Sequence, residues 1–159
     1  MDELKVALCD LGPDDYEQVL AVWRDAGLRI RPEGRDAPDA FARQMAAGRQ
    51  RVIGLRTLAG GPNEATPSEP GVLVAVAVLT HDGRKGWINR LAVVPAYRHY
   101  GLASRLIAEA ERWFSEEVGL EVFAALIEKE NHASRALFKS AGYGQLDIVY
   151  VTKRLRPDA

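Results

Sequence analysis

The chain has 159 residues, of which 47% are hydrophobic and 27% charged, and its formal net charge is −1. These values fit a single folded domain over residues 1–159 and exclude a chain that is disordered throughout. The near-neutral charge gives no reason to expect nucleic acid or a membrane surface as a partner.

Two further properties bound the location and the chemistry. The N-terminal residues lack the basic start and apolar run of a signal peptide, and no apolar segment is long enough to span a bilayer, so the expected location is cytoplasmic. The single cysteine, Cys9, excludes an intrachain disulfide, and its apolar neighbours predict a buried, unreactive thiol. Cysteines and histidines form no cluster with metal-binding spacing, so we predict no metal site.

The predicted elements follow from hydrophobic periodicity and from the positions of glycine and proline. In chain order they are a strand at 6–8, helices at 13–26 and 36–48, strands at 51–58, 72–79 and 87–94, a helix at 101–118, a strand at 120–127, a helix at 131–141 and a strand at 148–155. Residues 59–71, rich in glycine and proline, predict a hairpin connection. Residues 120–127 are almost continuously apolar, which favours a central strand covered on both faces. The order predicts an α/β domain with a mixed sheet and helices on both faces.

The most informative stretch joins a strand to a helix between residues 87 and 105. The strand ends at Pro95, and the helix begins within the pattern Arg98-x-x-Gly101-x-Ala103. Free N–H groups at a helix start carry partial positive charge and bind phosphate or pyrophosphate. Glycine lets such a ligand approach the backbone closely, and Arg98 and Arg105 add positive charge. Taken alone, the pattern also fits a plain strand–helix junction with small residues for packing.

A second motif makes the pattern specific. Residues 131–143 read Asn-His-Ala-Ser-Arg-Ala-Leu-Phe-Lys-Ser-Ala-Gly-Tyr and begin about thirty residues after the first motif. Together the two motifs resemble those of the GNAT superfamily of N-acetyltransferases, in which the first motif binds acyl-CoA. The resemblance covers residues 6–155. It implies an α/β GNAT-like fold, with a mixed, mostly antiparallel sheet of six to seven strands and helices on both faces.

The resemblance implies a role for each matching residue, with acetyl-CoA as the cosubstrate. The backbone of Leu91, Ala92 and Val93 would pair with the pantetheine arm, and the N–H of Val93 would stabilise the oxyanion of the tetrahedral intermediate. Asn131 would hydrogen-bond the pantetheine, a role compatible with capping the last helix. The pyrophosphate would be held by the loop and the first helical turn, which comprise Arg98, His99, Tyr100, Gly101, Leu102, Ala103 and Ser104.

Phe138, which we place in the cofactor site, departs from the family pattern. Many members have a tyrosine there, whose hydroxyl protonates the departing thiolate, and phenylalanine has no proton to give. An ordinary thiol has a pKa of about 8.5, so water can protonate the leaving group. Tyr100 or Tyr143 could substitute, although packing is the more usual role at the Tyr143 position. The general acid is therefore left open.

Two polar residues are candidates for activating the acceptor amine. Glu128 ends the strand that faces the cofactor motif and could act as a base, directly or through water. A solvated carboxylate at a strand end is the alternative. Asn89 would share a strand face with Leu91 and position a water molecule or the acceptor, whereas Arg90 would point to the opposite face.

Charge is unevenly distributed along the chain. Residues 24–56 hold eight arginines and four acidic residues, whereas residues 109–130 hold seven carboxylates and two basic residues. Because the first two helices border the acceptor site in relatives, Arg29, Arg31 and Arg35 could bind an acceptor carboxylate or phosphate. Trp23 could form part of the same site, although a core position is more usual for tryptophan. A solvated face is the alternative for both charged stretches.

The predicted function is direct transfer of acetyl from acetyl-CoA to a primary amine of a small molecule or a peptide terminus. No Ser/His or Cys/His arrangement suggests a covalent acyl-enzyme. A non-catalytic acyl-CoA-binding or regulatory module on the same fold is the alternative, and Phe138 keeps it open. The acceptor is not identified by the sequence, and a homodimer is left open.

Overall fold

A computed structural model describes residues 4–59 and 71–159. Its strands are β1 (Lys5–Leu11), β2 (Gln50–Ala59), β3 (Leu73–His81), β4 (Gly86–Val93) and β5 (Phe123–Ala124). Its α-helices are α1 (Tyr16–Asp25), α2 (Pro38–Ala46), α3 (Leu102–Arg112) and α4 (His132–Ser140). Short 3₁₀ turns cover Pro13–Asp15 and Pro95–Tyr97, and α3 continues as a π-helical segment, Trp113–Val118. The predicted hairpin connection falls mainly on residues 60–70, outside the described ranges.

The five strands form one sheet in the order β1-β2-β3-β4-β5. The first four pair antiparallel in sequence, and β4 pairs parallel with β5. The prediction of a mixed, mostly antiparallel sheet is confirmed. The predicted number of six to seven strands is wrong for residues 4–59 and 71–159, where the sheet has five.

The difference arises at the C-terminal side of the sheet. The predicted strand at 120–127 is reduced to β5, which pairs with β4 at only two positions. The residues predicted as a last strand, 148–155, join no ladder among the described strands, and Val149 and Val151 are 87% and 82% exposed. A two-residue β5 offers too short an edge for a further strand, which explains why residues 148–155 join no ladder among the described strands. The strand covered on both faces is instead β3, buried from Leu73 to Leu79.

Helices cover both faces of the sheet, as predicted. One core cluster packs α3 and α4 against it and includes Leu106, Phe114 and Phe138. The other packs α1 and α2 on the opposite face and includes Trp23 and Phe41. Alternate β3 residues supply the two clusters, with Ala75, Ala77 and Leu79 in the first and Val76 and Val78 in the second.

Tight packing fixes the end of α3 against the start of β4. The ring of Phe114, fully buried, lies so close to Gly86 that a Cβ there would come within 2.7 Å of it. The N–H of Gly86 also donates to the carbonyl of Val122, 2.9 Å away. Any larger residue at position 86 would displace the ring, so this glycine sets where β4 begins relative to α3.

The described residues bear on three of the limits drawn from the sequence: the membrane span, the metal site and the reactivity of Cys9. None of their helices is long and apolar enough to cross a membrane. They contain no group of three or more histidine, cysteine, aspartate or glutamate side chains that could hold a metal ion. Cys9 is half-buried and its thiol donates to the carbonyl of Gly54, and burial raises the pKa of this thiol, which disfavours the reactive thiolate.

Candidate functional site

A bulge in β4 reverses the side-chain alternation of that strand. Val76 pairs with Ala92 and Val78 pairs with Asn89, so Ala77 of β3 lies opposite two residues, Arg90 and Leu91. Arg90 adopts a left-handed conformation, with φ of 47°, as the extra residue of a bulge can. The bulge brings Asn89 and Arg90 to the same cavity, whereas Leu91 packs into the cluster on the other face. The predicted sharing of a face by Asn89 and Leu91 is therefore wrong, as is the predicted opposite orientation of Arg90.

One edge of β4 is open next to this bulge. In the described ranges β5 pairs with β4 only at Gly86 and Trp87, so the rest of β4 has no strand partner on that side. Val94 donates its N–H to the carbonyl of Val74 in β3. Because successive N–H groups point to opposite sides of a strand, the N–H of Val93 faces away from β3, towards the open edge.

The start of α3 follows β4 in the chain, after the 3₁₀ turn at Pro95–Tyr97. Gly101, the residue before the helix, has φ of 74°, and no side chain caps the first turn. His99 is also left-handed, with φ of 67°. A Cβ on Gly101 would meet no atom of residues 4–59 and 71–159 within 4 Å, so it faces space that the described residues leave open. The helix start thus presents uncapped N–H groups to open space, which favours an anion.

The two arginines of the first motif lie near this helix start but are tied to the backbone. Arg98 donates to the carbonyls of Val93 and Ala26, at 3.3 and 3.5 Å. Arg105 donates to the carbonyl of Val6, at 2.9 Å. The long bonds of the exposed Arg98 can exchange for a ligand at little cost, whereas Arg105 holds α3 to β1.

A cavity of about 470 Å³ lies on the α1–α2 face of β4. Its volume is in the range of small-molecule sites. Its lining is part apolar and part polar, and comprises Trp23, Arg35, Asp36, Phe41, Gln44, Gln50, Val78, Thr80, Asn89, Arg90 and Leu126. The amide nitrogen of Asn89 donates to Thr80 Oγ1, at 2.9 Å, and to the carbonyl of Trp87, at 3.3 Å, so its Oδ1 is the atom left for a ligand.

Asp36 organises the wall of this cavity. Its carboxylate, 7% exposed, accepts from Arg90 Nη2 at 2.9 Å and from the N–H of Arg31 at 2.7 Å. Arg35 Nε lies 3.6 Å from the same oxygen, and Tyr16 donates its hydroxyl to the Asp36 carbonyl. The sequence places Asp36 at the start of a predicted helix and among the four acidic residues of an arginine-rich stretch, and it gives no signal that this carboxylate is buried.

Arg90 is held between this carboxylate and an aromatic ring. Its guanidinium lies 4.5 Å from the centre of the Trp23 ring, a cation–π contact, and also donates to the carbonyl of Arg29. Burial lowers the pKa of Arg90, and Asp36 opposes that shift. The side chain stays charged, as arginine does in proteins, so a fixed cation lies in the cavity wall.

The four residues predicted to bind the acyl acceptor do not all lie in one site. Trp23 and Arg35 line the cavity. Arg29 contributes its carbonyl to Arg90, and Arg31 uses its side chain to contact the carbonyl of Pro157. Arg29 and Arg31 therefore shape the loop around the cavity without lining it.

Comparison with known proteins assigns the family. The sequence pattern of the Acetyltransferase (GNAT) family matches residues 26–143, which include both motifs and most of the sheet. The chain belongs to the GNAT family. Within it, residues of this chain are 31% identical over 71 residues to the aminoglycoside N(6')-acetyltransferase type 1 of Acinetobacter haemolyticus. That match takes in 44% of this chain and about half, 48%, of the curated relative.

Solved structures of GNAT proteins share the fold. The structure of AAC(6')-Iy with a bisubstrate analogue of CoA and acetylneamine has a TM-score of 0.71 and 17% identity, covering 94% of this chain and 99% of that one. The PaiA N-acetyltransferase of Thermoplasma acidophilum, solved with coenzyme A, has a TM-score of 0.71 and 16% identity, covering 92% and 94%. The ribosomal-protein-S18-alanine N-acetyltransferase of Escherichia coli has a TM-score of 0.67 and 16% identity, covering 90% and 80%.

Three residues of the second GNAT motif have structural roles. Asn131 caps α4, since its Oδ1 accepts from the N–H of Ser134 at 3.1 Å. Phe138 is buried in the core and packs edge-on against Tyr143, with ring centroids 5.0 Å apart. Burial, with a contribution from Glu111, raises the pKa of the Tyr143 phenol well above its usual range. A phenol buried in this way is a poor proton donor for the site, which agrees with a packing role.

The predicted base, Glu128, lies outside the cavity lining. It is exposed, and its carbonyl accepts from the N–H of Asn131 at 2.9 Å, which sets the turn before α4. Leu126, two residues earlier, does line the cavity. Glu128 is thus close in sequence to the site, at a solvent-exposed position.

Proposed function

We propose that this GNAT protein is an acetyl-CoA-dependent N-acetyltransferase that transfers acetyl directly to a primary amine of a small molecule or a peptide terminus. The observation that carries the proposal is one stretch of β4 that adjoins two sites. Its open edge and the uncapped start of α3 suit a cofactor. Asn89 and Arg90, on the same strand, line a cavity large enough for an acceptor. An acyl donor and an acceptor would thus meet at β4.

The cofactor side fits the chemical groups of CoA in turn. An open strand edge can pair with the amide groups of an extended pantetheine arm, here along Leu91, Ala92 and Val93. The uncapped N–H groups after Gly101 can bind the pyrophosphate. The loop and first turn from Arg98 to Ser104 would surround that group, with the guanidinium of Arg98 released to it. Asn131 and Phe138 would complete the site from α4.

The chemistry required of the chain is modest. The acceptor ammonium first gives up a proton, to Glu128 directly or through water, and becomes a neutral amine. The amine nitrogen then forms a bond to the thioester carbon and loses a second proton, the carbon–sulfur bond breaks, and the sulfur takes up one proton and leaves as a thiol. The N–H of Val93, directed to the open edge, would stabilise the negative charge that develops on the carbonyl oxygen. Asn89 would position the amine through its Oδ1. Since Phe138 has no hydroxyl, water would supply the proton to sulfur.

The relatives support amine acetylation without fixing the acceptor. Their names describe acetylation of aminoglycosides in one case and of a ribosomal protein alanine in another. These acceptors share a primary amine and little else, so the acceptor class must come from this chain's own cavity. A cytoplasmic location and assembly as a homodimer are further parts of the proposal.

The direct test combines ligand binding with thiol release. Acetyl-CoA at about 100 times its Kd should stabilise the folded protein by about 2.7 kcal/mol and raise its Tm. A panel of primary amines should then contain members that release free CoA thiol with equimolar acetylated amine. Stabilisation by acetyl-CoA without thiol release for any amine would favour the non-catalytic acyl-CoA-binding module. No change in Tm with either CoA or acetyl-CoA would contradict the cofactor assignment.

Glu128→Gln tests the proposed base. We expect kcat to fall about tenfold or more near neutral pH, because removing a general base typically costs a factor of about 10²–10⁴ and a water-mediated base gives less. The loss should shrink at high pH, where more of the amine is already deprotonated. Glu130→Gln, an equally exposed carboxylate two residues on, is the matched control and should leave kcat unchanged. Equal kcat values for both variants at all pH values would exclude Glu128 as the base.

A further inference from the structure

Two residues of the cavity lining carry hydrogen-bond donors for which the described part of the chain offers no acceptor. Trp23 Nε1 and Arg90 Nη1 are both buried, and neither has a partner among residues 4–59 and 71–159. Trp23 is only 2% exposed, and both residues line the cavity. Buried donors without acceptors are uncommon in folded proteins and call for an explanation. A ligand that brings hydrogen-bond acceptors to this wall supplies one.

The charge of the wall points the same way. Among residues 4–59 and 71–159, the charged residues that line the cavity are Arg35, Asp36 and Arg90. The Asp36 carboxylate is already occupied by Arg90 and the N–H of Arg31. Arg35 makes only a long contact with it, at 3.6 Å, and its side chain is 42% exposed. One positive charge is therefore left over for a ligand.

From this donor-rich, positive wall we infer that the acceptor is a small amino-carboxylate, an amino acid in the simplest case, whose carboxylate binds against Arg90, Arg35 and Trp23. The inference rests on the proposed function and specifies its substrate class. Arginine pairs well with carboxylates, and stacking on Trp23 keeps the Arg90 guanidinium planar and oriented. The ammonium end would lie at Asn89 Oδ1, and an uncharged side chain would contact Phe41, Val78 and Leu126.

The same wall disfavours a different class of amine. An acceptor with several ammonium groups would place positive charge beside Arg35 and Arg90, and like charges across a binding interface are unfavourable. Polycationic aminoglycosides are therefore expected to be poor acceptors for this chain. The sequence led us to predict an anion site at Arg29, Arg31 and Arg35. The inference instead places this site at Arg90, Trp23 and Arg35.

The test compares matched amines in the thiol-release assay with the full chain. Each amino acid is paired with its carboxamide and with the amine that lacks the carboxyl group, and one aminoglycoside is included. We expect kcat/KM to be at least tenfold higher for the best amino acids than for their amides, and the aminoglycoside to give little release. Equal kcat/KM for amino acids and amides, or preferred use of the aminoglycoside, would overturn the inference while leaving the acetyltransferase proposal intact. An absence of thiol release and of binding for every amine would overturn both.

Three variants and one control test whether the cavity wall causes the preference for amino acids over their amides. Arg90→Lys keeps the charge but loses the planar donors, Trp23→Phe removes Nε1, and Arg35→Gln removes the exposed charge. Each variant should reduce the ratio of kcat/KM for amino acids to kcat/KM for their amides at least fivefold. The reduction should come from a higher KM for the amino acid, with the Kd for acetyl-CoA unchanged. Arg43→Gln, on the exposed side of α2 and paired with Asp39, should leave the preference unchanged. Because Arg35 is exposed and its replacement leaves the core intact, a normal preference in folded Arg35→Gln and Trp23→Phe proteins would contradict the inference even if Arg90→Lys fails to fold.

Discussion

Gly101→Glu is expected to weaken acetyl-CoA binding about 100-fold or more while leaving the protein folded. The new carboxylate would project into the open space before α3, where no atom of the described part of the chain lies within 4 Å of a Cβ. It would place negative charge and bulk where the pyrophosphate is proposed to bind. Like charges brought together at an interface cost several kcal/mol, and about 2.7 kcal/mol corresponds to 100-fold in Kd. Isothermal titration with CoA and with acetyl-CoA measures the loss.

Gly119→Glu provides the matched control for this variant. Gly119 has φ of 81°, close to the 74° of Gly101, and also faces open space at the end of a helical segment. The two substitutions thus share the cost of a left-handed side chain, about 1–2 kcal/mol, and the same change in charge. The control should lose more stability, because a carboxylate at a helix C-terminus is unfavourable to the helix dipole, but it should bind acetyl-CoA normally. If a folded Gly101→Glu protein binds CoA as tightly as this control, the pyrophosphate lies elsewhere.

Glu109→Gln is expected to lower the free energy of unfolding by about 2–3 kcal/mol at neutral pH, because it disrupts several hydrogen bonds to charged groups. Glu109, whose side chain is 13% exposed, accepts from Arg51 Nη1 at 2.9 Å and from two nitrogens of Arg112 at 2.8 and 2.9 Å. Arg51 also pairs with Asp10 of β1, so the cluster fastens α3 to β1 and β2. The side-chain amide of glutamine would point its N–H donors at the N–H donors of the guanidinium groups. The Tm should fall by about 5–10 °C.

The pH dependence of this loss follows from the pKa of Glu109. Hydrogen bonds from Arg112 and Arg51 lower that pKa from its ordinary value of 4.5 to about 2. The stabilising effect of the carboxylate is therefore fully present above the ordinary value and is lost as the pH falls through about 2. The difference in stability between wild type and variant should be constant from pH 6 to 8 and shrink progressively below the ordinary pKa.

Glu117→Gln is the control for the buried carboxylate. Glu117 also accepts from Arg112, at 2.9 Å, but its side chain is 53% exposed. Exposed ion pairs contribute about 0–1 kcal/mol, so its replacement should change the Tm little. Denaturant unfolding at a series of pH values measures both variants. Equal losses for Glu109→Gln and Glu117→Gln, or a loss for Glu109→Gln that does not change with pH, would contradict the stabilising effect assigned to the buried Glu109 carboxylate.

Local signals in the sequence were sufficient for most elements of the fold. Strand β3 and helix α3 have strong apolar patterns. Both ends of β3 and the start of α3 were predicted to within two residues, and the predicted end of the helix, residue 118, is the end of the π-helical segment that continues α3. Gly27 and Gly48, predicted to end helices, follow α1 and α2 in left-handed conformations. The helix start after Gly101 could be predicted as an anion site because N–H groups at a helix start are unpaired whatever surrounds them.

Strand number and the composition of the acceptor cavity could not be predicted in the same way. Residues 120–127 and 148–155 have the composition of strands, but a strand exists only where a neighbouring edge pairs with it, and β5 offers two residues. Asp36 was indistinguishable by composition from other surface carboxylates. Its burial depends on Arg90, which is 54 residues away in the chain.

The sequence by itself was enough to identify the two GNAT motifs, the helix start that suits a pyrophosphate, and the strand that leads to it. The tertiary structure alone decided which side chains share the cavity. The alternation of side chains along β4 predicts that Asn89 and Arg90 point to opposite faces. The bulge places two β4 residues opposite Ala77, shifts the alternation by one position, and directs Arg90 to Asp36 and Trp23. Such a bulge depends on pairing with β3 and on the distant partners that hold Arg90, and neither is encoded by residues near it in the chain.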